Sequence, residues 1–336
     1  MNVSVNGFRR HVAIIAQTGA GKSYTVGVLL EELLRKGATI VVIDPHADYV
    51  FLSRDRDGRR IEEYADRIIV FRNPNSTGRY RDDEIDNLRS LTFKFADLDP
   101  GEVADIVGVS QSYTRIRKAF KNAIEDLRSS EAFKNLYDPQ RLINKLNELD
   151  KEGANGDANY SGAVNYAMRL LRIRVFGDRT TPIEEILKPF QASILDLSGL
   201  NDASQDYIVE RILSKIVELR IRNEFPWPVF VFVEEAHRFV PREGGTRSFE
   251  IIRTIATEGR KFGVFLTLVT QRPGRINEDI LSQCNSQIIL RITNPNDQGA
   301  VQRASEQLGE SLMRDLPGLN VGEAIIVGEL TRVPVM

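Results

Sequence analysis

The sequence predicts an α/β protein: a doubly wound, mostly parallel sheet carrying an all-helical insertion. Three observations lead there. Several apolar runs of five to eight residues, such as those at 39–44 and 229–233, are nearly continuous, as in strands covered on both faces. Helix-length amphipathic segments alternate with them. Between 97 and 187 the strand-like runs stop and helical periodicity takes over.

Taken in order, HVAIIA (11–16) is a short apolar run entering a glycine-rich turn. A helix follows from Lys22 to about Lys36, with Gly37 closing it. TIVVID (39–44) is a second buried strand, so this unit is β-loop-α-β and the sheet begins parallel. RIIVF (67–71) and LTFKF (91–95) read as further strands. Asp99 and Pro100 read as the N-cap and first position of a helix. Periodicity continues through 112–128, 139–150 and 161–174, with a flexible break at 151–162. The α/β pattern returns at ASILDLS (192–198), followed by a long helix at 203–223 that starts near Asp202. Then come PVFVFVEEAH (228–237), a helix at about 246–260, GVFLTLVTQ (263–271), SQIILRI (286–292) and GEAIIVGEL (322–330). The expected division is a first core part at 1–95, the helical insertion at 96–187 and a second core part at 188–336.

The 336 residues suffice for one large α/β domain with an insertion. With 45 basic and 47 acidic residues the net charge is −2. That excludes a wholly basic nucleic-acid-binding protein and leaves room for a local basic patch. Arginine outnumbers lysine 34 to 11, which suits ion-pair networks in a heat-adapted protein and an arginine-rich genome equally. The single cysteine, Cys284, rules out an intrachain disulfide, reads as a small buried side chain and fits a cytoplasmic protein. No apolar run approaches membrane-spanning length, and the first residues are not a signal peptide, so no membrane association is expected.

The turn AQTGAGKS (16–23) carries the chemistry of a phosphate loop, although Ala16 stands where the usual pattern begins with glycine. Gly19 and Gly21 let backbone N–H groups converge on phosphate oxygens without Cβ clashes. The following helix aims its positive end at the same anion. Thr18, Gly19, Ala20, Gly21, Lys22, Ser23 and Tyr24 are the nucleotide-binding candidates. Lys22 would reach the β- and γ-phosphates of ATP, and Ser23 would offer its hydroxyl to Mg²⁺. Ala16 needs only ordinary backbone angles and is expected to be harmless.

The same site needs a metal-binding carboxylate and a group that activates water. Glu234 and Glu235 end the strand 229–233 and point to different sides, Glu234 for Mg²⁺ and Glu235 for the water. Gln271 ends another strand and could sense the γ-phosphate or simply cap a turn. Arg260 lies at a helix end, where it could complement the dipole or act as an arginine finger on a neighbour's ATP.

TGAGKS, DPHADY (44–49), EEAHRFVP (234–241), EGRKFG (258–263) and TQRP (270–273) occur here in that order. Together they resemble the HerA family of archaeal DNA translocases, within the HerA–FtsK group. The resemblance covers about 11–327. It implies a RecA-like P-loop NTPase core and a homo-hexameric ring that moves double-stranded DNA at the expense of ATP. It also implies a NurA-type nuclease as partner in processing DNA ends for recombinational repair. Lys22 and Ser23 then match the Walker A residues, Glu234 and Glu235 the Walker B acids, Gln271 the sensor and Arg260 the arginine acting across the subunit interface. Asp44 and His46 match the family's Asp-Pro-His segment, expected near the site or as turn chemistry. Ala47 and Asp48 stand where glycine and glutamate are more typical. With the loop lysine at 22 there is no room ahead of it for the family's N-terminal β-barrel, so the expectation is a trimmed motor domain or a naturally short relative.

A near-neutral motor must hold DNA through a few loops that bind phosphates rather than bases. Arg238, Arg242 and Arg247 in HRFVPREGGTR (237–247) are the candidates, on a loop that leaves Glu235 directly and carries the Gly244-Gly245 pair. The alternatives are a related ATPase of conjugation, secretion or phage defence, and a nucleotide-binding assembly module with little turnover.

Overall fold

The computed structural model describes residues 3–131, 136–153, 157–173, 175–305, 307–331 and 333–336. Positions 154–156, within the break expected at 151–162, and position 174, the end of the periodic stretch 161–174, lie outside the described residues.

The strands are β1 (Val12–Ile15), β2 (Thr39–Asp44), β3 (Ile68–Arg72), β4 (Leu88–Ser90), β5 (Phe93–Lys94), β6 (Phe176–Gly177), β7 (Ala192–Asp196), β8 (Val229–Val233), β9 (Val264–Thr270), β10 (Ser286–Leu290) and β11 (Ala324–Val327). Nine of them form one sheet among the described residues, in the order β11-β10-β1-β9-β8-β2-β7-β3-β4. Every pairing in it is parallel except β10 with β11. The central strands are buried at every position because their alternate side chains enter two separate cores. Val12, Ile14, Ile40, Val42 and Phe232 pack with the helix Lys22–Arg35 on one face. Ala13, Ile15, Val41, Ile43, Val231 and Val233 pack on the other with the helices Asp202–Ile221 and Ser248–Phe262. That two-sided burial is the doubly wound arrangement expected from the sequence.

The helical stretch extends the second core. Asp99 and Glu102 form a capping box at the helix Pro100–Ile106, with Pro100 in its first turn. The helices Thr114–Ser129 and Pro139–Lys151 follow, the latter capped by Asp138. The periodic stretch near 161–174 is shorter as α-helix, Tyr160–Ala167, and tightens into a 3₁₀ turn at Met168–Arg172.

Several boundaries differ from expectation. LTFKF (91–95) is not a strand of the main sheet. Only Phe93 and Lys94 are extended, paired in parallel with Phe176 and Gly177, so the helical stretch contains one two-residue strand. The backbone N–H of Thr92 is taken by Thr181 Oγ1 and that of Lys94 by Thr180 Oγ1, which leaves little ladder to propagate. The long helix starts at Asp202, but its N-cap is Asn201, whose side chain accepts the Ser204 N–H.

Candidate active site

Parallel pairing sends the carboxyl ends of β1, β2, β8 and β9 to one rim of the sheet, and the site is built there. After β1 the chain makes its glycine turn. Gly19 has φ +77° and Gly21 φ +100°, values that glycine adopts at little cost and residues with a Cβ rarely adopt. Gly21 caps the helix Lys22–Arg35, whose first N–H groups have no side-chain cap. Ala16, by contrast, has a negative φ, is fully buried and donates its N–H to the Thr270 carbonyl at 3.2 Å. The missing first glycine is therefore no obstacle to the turn. The turn is buttressed from behind, where Gly322 N–H donates to the Ala20 carbonyl at 3.0 Å.

β8 delivers the acid pair. Glu234 continues the strand, donating its N–H to the Ile43 carbonyl at 3.1 Å. Its side chain points to the face covered by the phosphate-loop helix, where both oxygens accept from Lys22 Nζ at 2.7 Å. Glu235 leaves the strand in a left-handed conformation, φ 50° and ψ 42°, uncommon for a residue with a side chain. This break re-aims its carboxylate. Glu235 Oε1 accepts from Gln271 Nε2 at 3.0 Å and lies 3.7 Å from Lys22 Nζ. Glu235 Oε2 is buried with no hydrogen-bond partner, 3.2 Å from His237 Nδ1. Burial holds the Glu235 carboxyl above the usual glutamate range. Burial, reinforced by nearby arginines, pushes His237 down to about 4, so this imidazole is neutral. Gln271 closes the network, its Oε1 accepting the Thr18 hydroxyl of the glycine turn at 2.6 Å.

The DPHADY segment is at the site, with Asp44 as its turn chemistry and Tyr49, which sequence reasoning did not single out, as its contact with the acid pair. Asp44, at the end of β2, is fully buried and accepts the backbone N–H groups of His46, Asp48 and Tyr49 at 3.3, 3.0 and 2.9 Å. Burial, with Asp48 and Glu234 nearby, pushes its carboxyl up to about 7. The turn it organises has Ala47 at φ +60°, a position that favours the glycine more typical of the motif. It sends the Tyr49 hydroxyl to Glu234 Oε1 at 2.5 Å and brings Asp48 Oδ2 within 3.4 Å of Ser23 Oγ. The signal available in the sequence was the motif itself; which of its side chains reaches the acid has no periodicity to betray it. Tyr24 is 80% exposed beside the turn.

The oxygen donors Ser23 and Glu234 flank the lysine at the helix start, and hard oxygen ligands of this kind suit Mg²⁺. Among the described residues no group of three or more His, Cys, Asp or Glu could hold a metal ion by itself.

The remaining candidates lie elsewhere. Arg260 is at the opposite rim, where its guanidinium donates to Gln283 O at 3.3 Å and Asn285 Oδ1 at 3.0 Å, ahead of β10. It does not reach the chain's own phosphate turn. The loop arginines are engaged: Arg238 with Asp202, Arg242 with Glu278 at 3.4 Å, and Arg247 with Asp105. The Asp105 pair ties the loop to the helical stretch, and the Arg247 guanidinium also lies 5.8 Å from the Tyr207 ring of the helix Asp202–Ile221. His46 lines an open cavity of about 800 Å³ beside Glu235 and Gln271.

This sheet order, with a glycine turn after a central strand and paired acids two strands away, defines a P-loop nucleotide-binding core of the RecA-like type. Residues 2–216 match the family described as Helicase HerA, central domain, and the chain belongs to that family. It is 33% identical to the DNA double-strand break repair helicase HerA of Pyrococcus furiosus, over 97% of this chain and 64% of that protein. Against the HerA of Sulfurisphaera tokodaii the identity is 30%, over 99% of this chain and 65% of the relative. The chain thus spans less than two thirds of the length of either relative. Among solved structures, VirB4 of Thermoanaerobacter pseudethanolicus superposes with a TM-score of 0.65 at 16% identity, covering 97% of this chain and 88% of that one. The plasmid coupling protein TrwB in complex with a non-hydrolysable GTP analogue gives 0.64 at 15%, covering 99% and 86%. These two share the fold. No helix among the described residues is long and apolar enough to cross a membrane.

Proposed function

We propose that this chain is the ATP-hydrolysing motor portion of a ring-forming translocase that moves along double-stranded DNA. The observation that carries the reading is the closed set of contacts Thr18–Gln271–Glu235–Lys22–Glu234, which joins the phosphate turn to the tips of β8 and β9. In the proposed reaction Lys22 exchanges the Glu234 carboxylate for the β- and γ-phosphates of ATP. Ser23 and Glu234 would hold Mg²⁺, which when bound offsets charge developing on the transferred phosphoryl group. Glu235 accepts a hydrogen bond from the attacking water at its unpartnered Oε2 and takes its proton. Gln271, bonded to both the turn and Glu235, reports whether the γ-phosphate is present.

Arg260 is given to the neighbouring subunit: at the far rim it does not reach its own phosphate turn. If it does not act across an interface, its role is to complement the helix dipole and hold the turn at Gln283 and Asn285. A homo-hexameric ring and a NurA-type nuclease partner complete the proposal; the relatives' names, DNA double-strand break repair helicase HerA, support its DNA-repair helicase part alone. The test is steady-state phosphate release with and without linear duplex DNA, run beside a sizing experiment. Turnover stimulated by duplex supports the motor. Turnover indifferent to DNA points to a related ATPase with another cargo, and nucleotide binding without turnover to an assembly module.

A further inference from the structure

The cavity beside the acid pair is lined by Glu235 and Gln271, by Arg238, Arg242, Arg272 and Arg275, and by the acids Asp202 and Glu243. Among the described residues none of the phosphate turn lines it, so it is a compartment next to the nucleotide cradle rather than the cradle itself. Its arginines are not equivalent. Arg238 is neutralised by Asp202 and Arg242 by Glu278. The guanidinium groups of Arg272 and Arg275 have no hydrogen bond or ion pair among the described residues, although both belong to a tight 3₁₀ turn that follows the tip of β9. Two cations three positions apart, unpaired among the described residues and carried on a short turn instead of a long flexible loop, can converge on one anion. Their field is already felt by His237, which lies in the same wall and stays neutral.

We propose that Arg272 and Arg275 form a phosphate-binding subsite, filled either by a backbone phosphate of DNA or by the orthophosphate cut from ATP. This rests on the motor reading and shifts the DNA grip from the carboxylate-paired arginines 238, 242 and 247 to the unpaired pair. Arg272 follows Gln271 directly in the chain. A phosphate bound there therefore shares a backbone with the sensor amide, and its arrival or departure is transmitted to Glu235 through a single side-chain bond.

The experiment uses the full chain and the double variant Arg272→Gln/Arg275→Gln. Both positions are exposed, so folding is expected to survive, and a thermal melt checks it. Binding of a labelled linear duplex is followed across a salt series, and turnover without DNA is followed with added orthophosphate. A DNA-backbone occupant lowers the log–log salt slope by about 2 in the double variant. The same exchange at Arg238, already neutralised by Asp202, lowers it by less than 1. A product occupant leaves the slope alone and raises the orthophosphate concentration needed for inhibition. If turnover and duplex binding are intact in the wild-type chain and neither readout moves, the subsite is wrong while the motor stands. If the wild-type chain fails to turn over ATP, the motor falls, and calorimetric titration with orthophosphate alone decides the subsite: arginine-dependent heat supports it and none overturns it.

Discussion

The two rims of the sheet make opposite environments from the same strands. At the carboxyl rim Lys22, Glu234, Glu235, Gln271, Asp44 and Tyr49 converge in one bonded network. At the amino rim His11 is buried, its Nδ1 accepting the Leu266 N–H at 2.9 Å, and Arg260 anchors the turn before β10. Cys284 lies there too, its thiol pushed up to about 12 by burial, which leaves it inert. The difference follows from chain polarity. Parallel strands end where the next helices begin, so glycine turns and positive dipole ends collect on one rim, and helix C-termini with their basic residues collect on the other. Arg260, in the last turn of the helix Ser248–Phe262, is a product of that sorting. It sits roughly 20 Å from the site, the length of a seven-residue strand. Under the proposed reading a head-to-tail contact, amino rim of one subunit to carboxyl rim of the next, would bring Arg260 to a neighbour's site, and contacts of that kind build rings when the rotation closes and filaments when it does not.

The contrast can be broken most severely at Arg260. Arg260→Ala is expected to cut turnover by about 10³-fold or more if it serves a neighbour's ATP. Mixing it with a Glu235 variant should restore activity, measured as phosphate release; intact rings without rescue would sink the head-to-tail arrangement. Glu235→Gln is expected to lower turnover about 10²- to 10⁴-fold while nucleotide still binds, as a filter-binding or calorimetric titration would show. The carboxyl rim also sets a pH dependence. Glu235 acts as its carboxylate, and burial raises its pKa, so turnover should fall as pH drops through a value above the ordinary glutamate range. The slope there should approach tenfold per unit, and a pH–rate profile with its acid limb at the ordinary glutamate value would contradict the burial argument. The smallest effect is expected from Tyr49→Phe. It removes one hydrogen bond to Glu234 and should cost about 1 kcal/mol, read as a several-fold rise in the Mg²⁺ needed for half-maximal turnover.

Legibility differed between the rims for physical reasons. Gly19 to Ser23 and the acid pair were readable because phosphate binding forces particular residue types into a fixed local order. The strands β1, β2, β8 and β9 were readable because burial on both faces leaves continuous apolar runs. Tyr49 was not, since a hydroxyl reaching an acid 185 positions away leaves no local trace. The same holds for the carboxylates that neutralise Arg238, Arg242 and Arg247, which come from distant segments. The edge strand β4 (Leu88–Ser90) is three residues long and incompletely buried, too short for any alternation to register.

One small contact sets how much chain a working nucleotide site requires. Every catalytic candidate lies before position 272, yet the Ala20 carbonyl rests on the N–H of Gly322, just ahead of the lone antiparallel strand. A protein shortened by its last twenty residues would retain each reactive side chain and lose the brace behind them. Such a truncation is expected to weaken nucleotide binding while leaving every reactive side chain in place, as a calorimetric titration of the shortened chain would show.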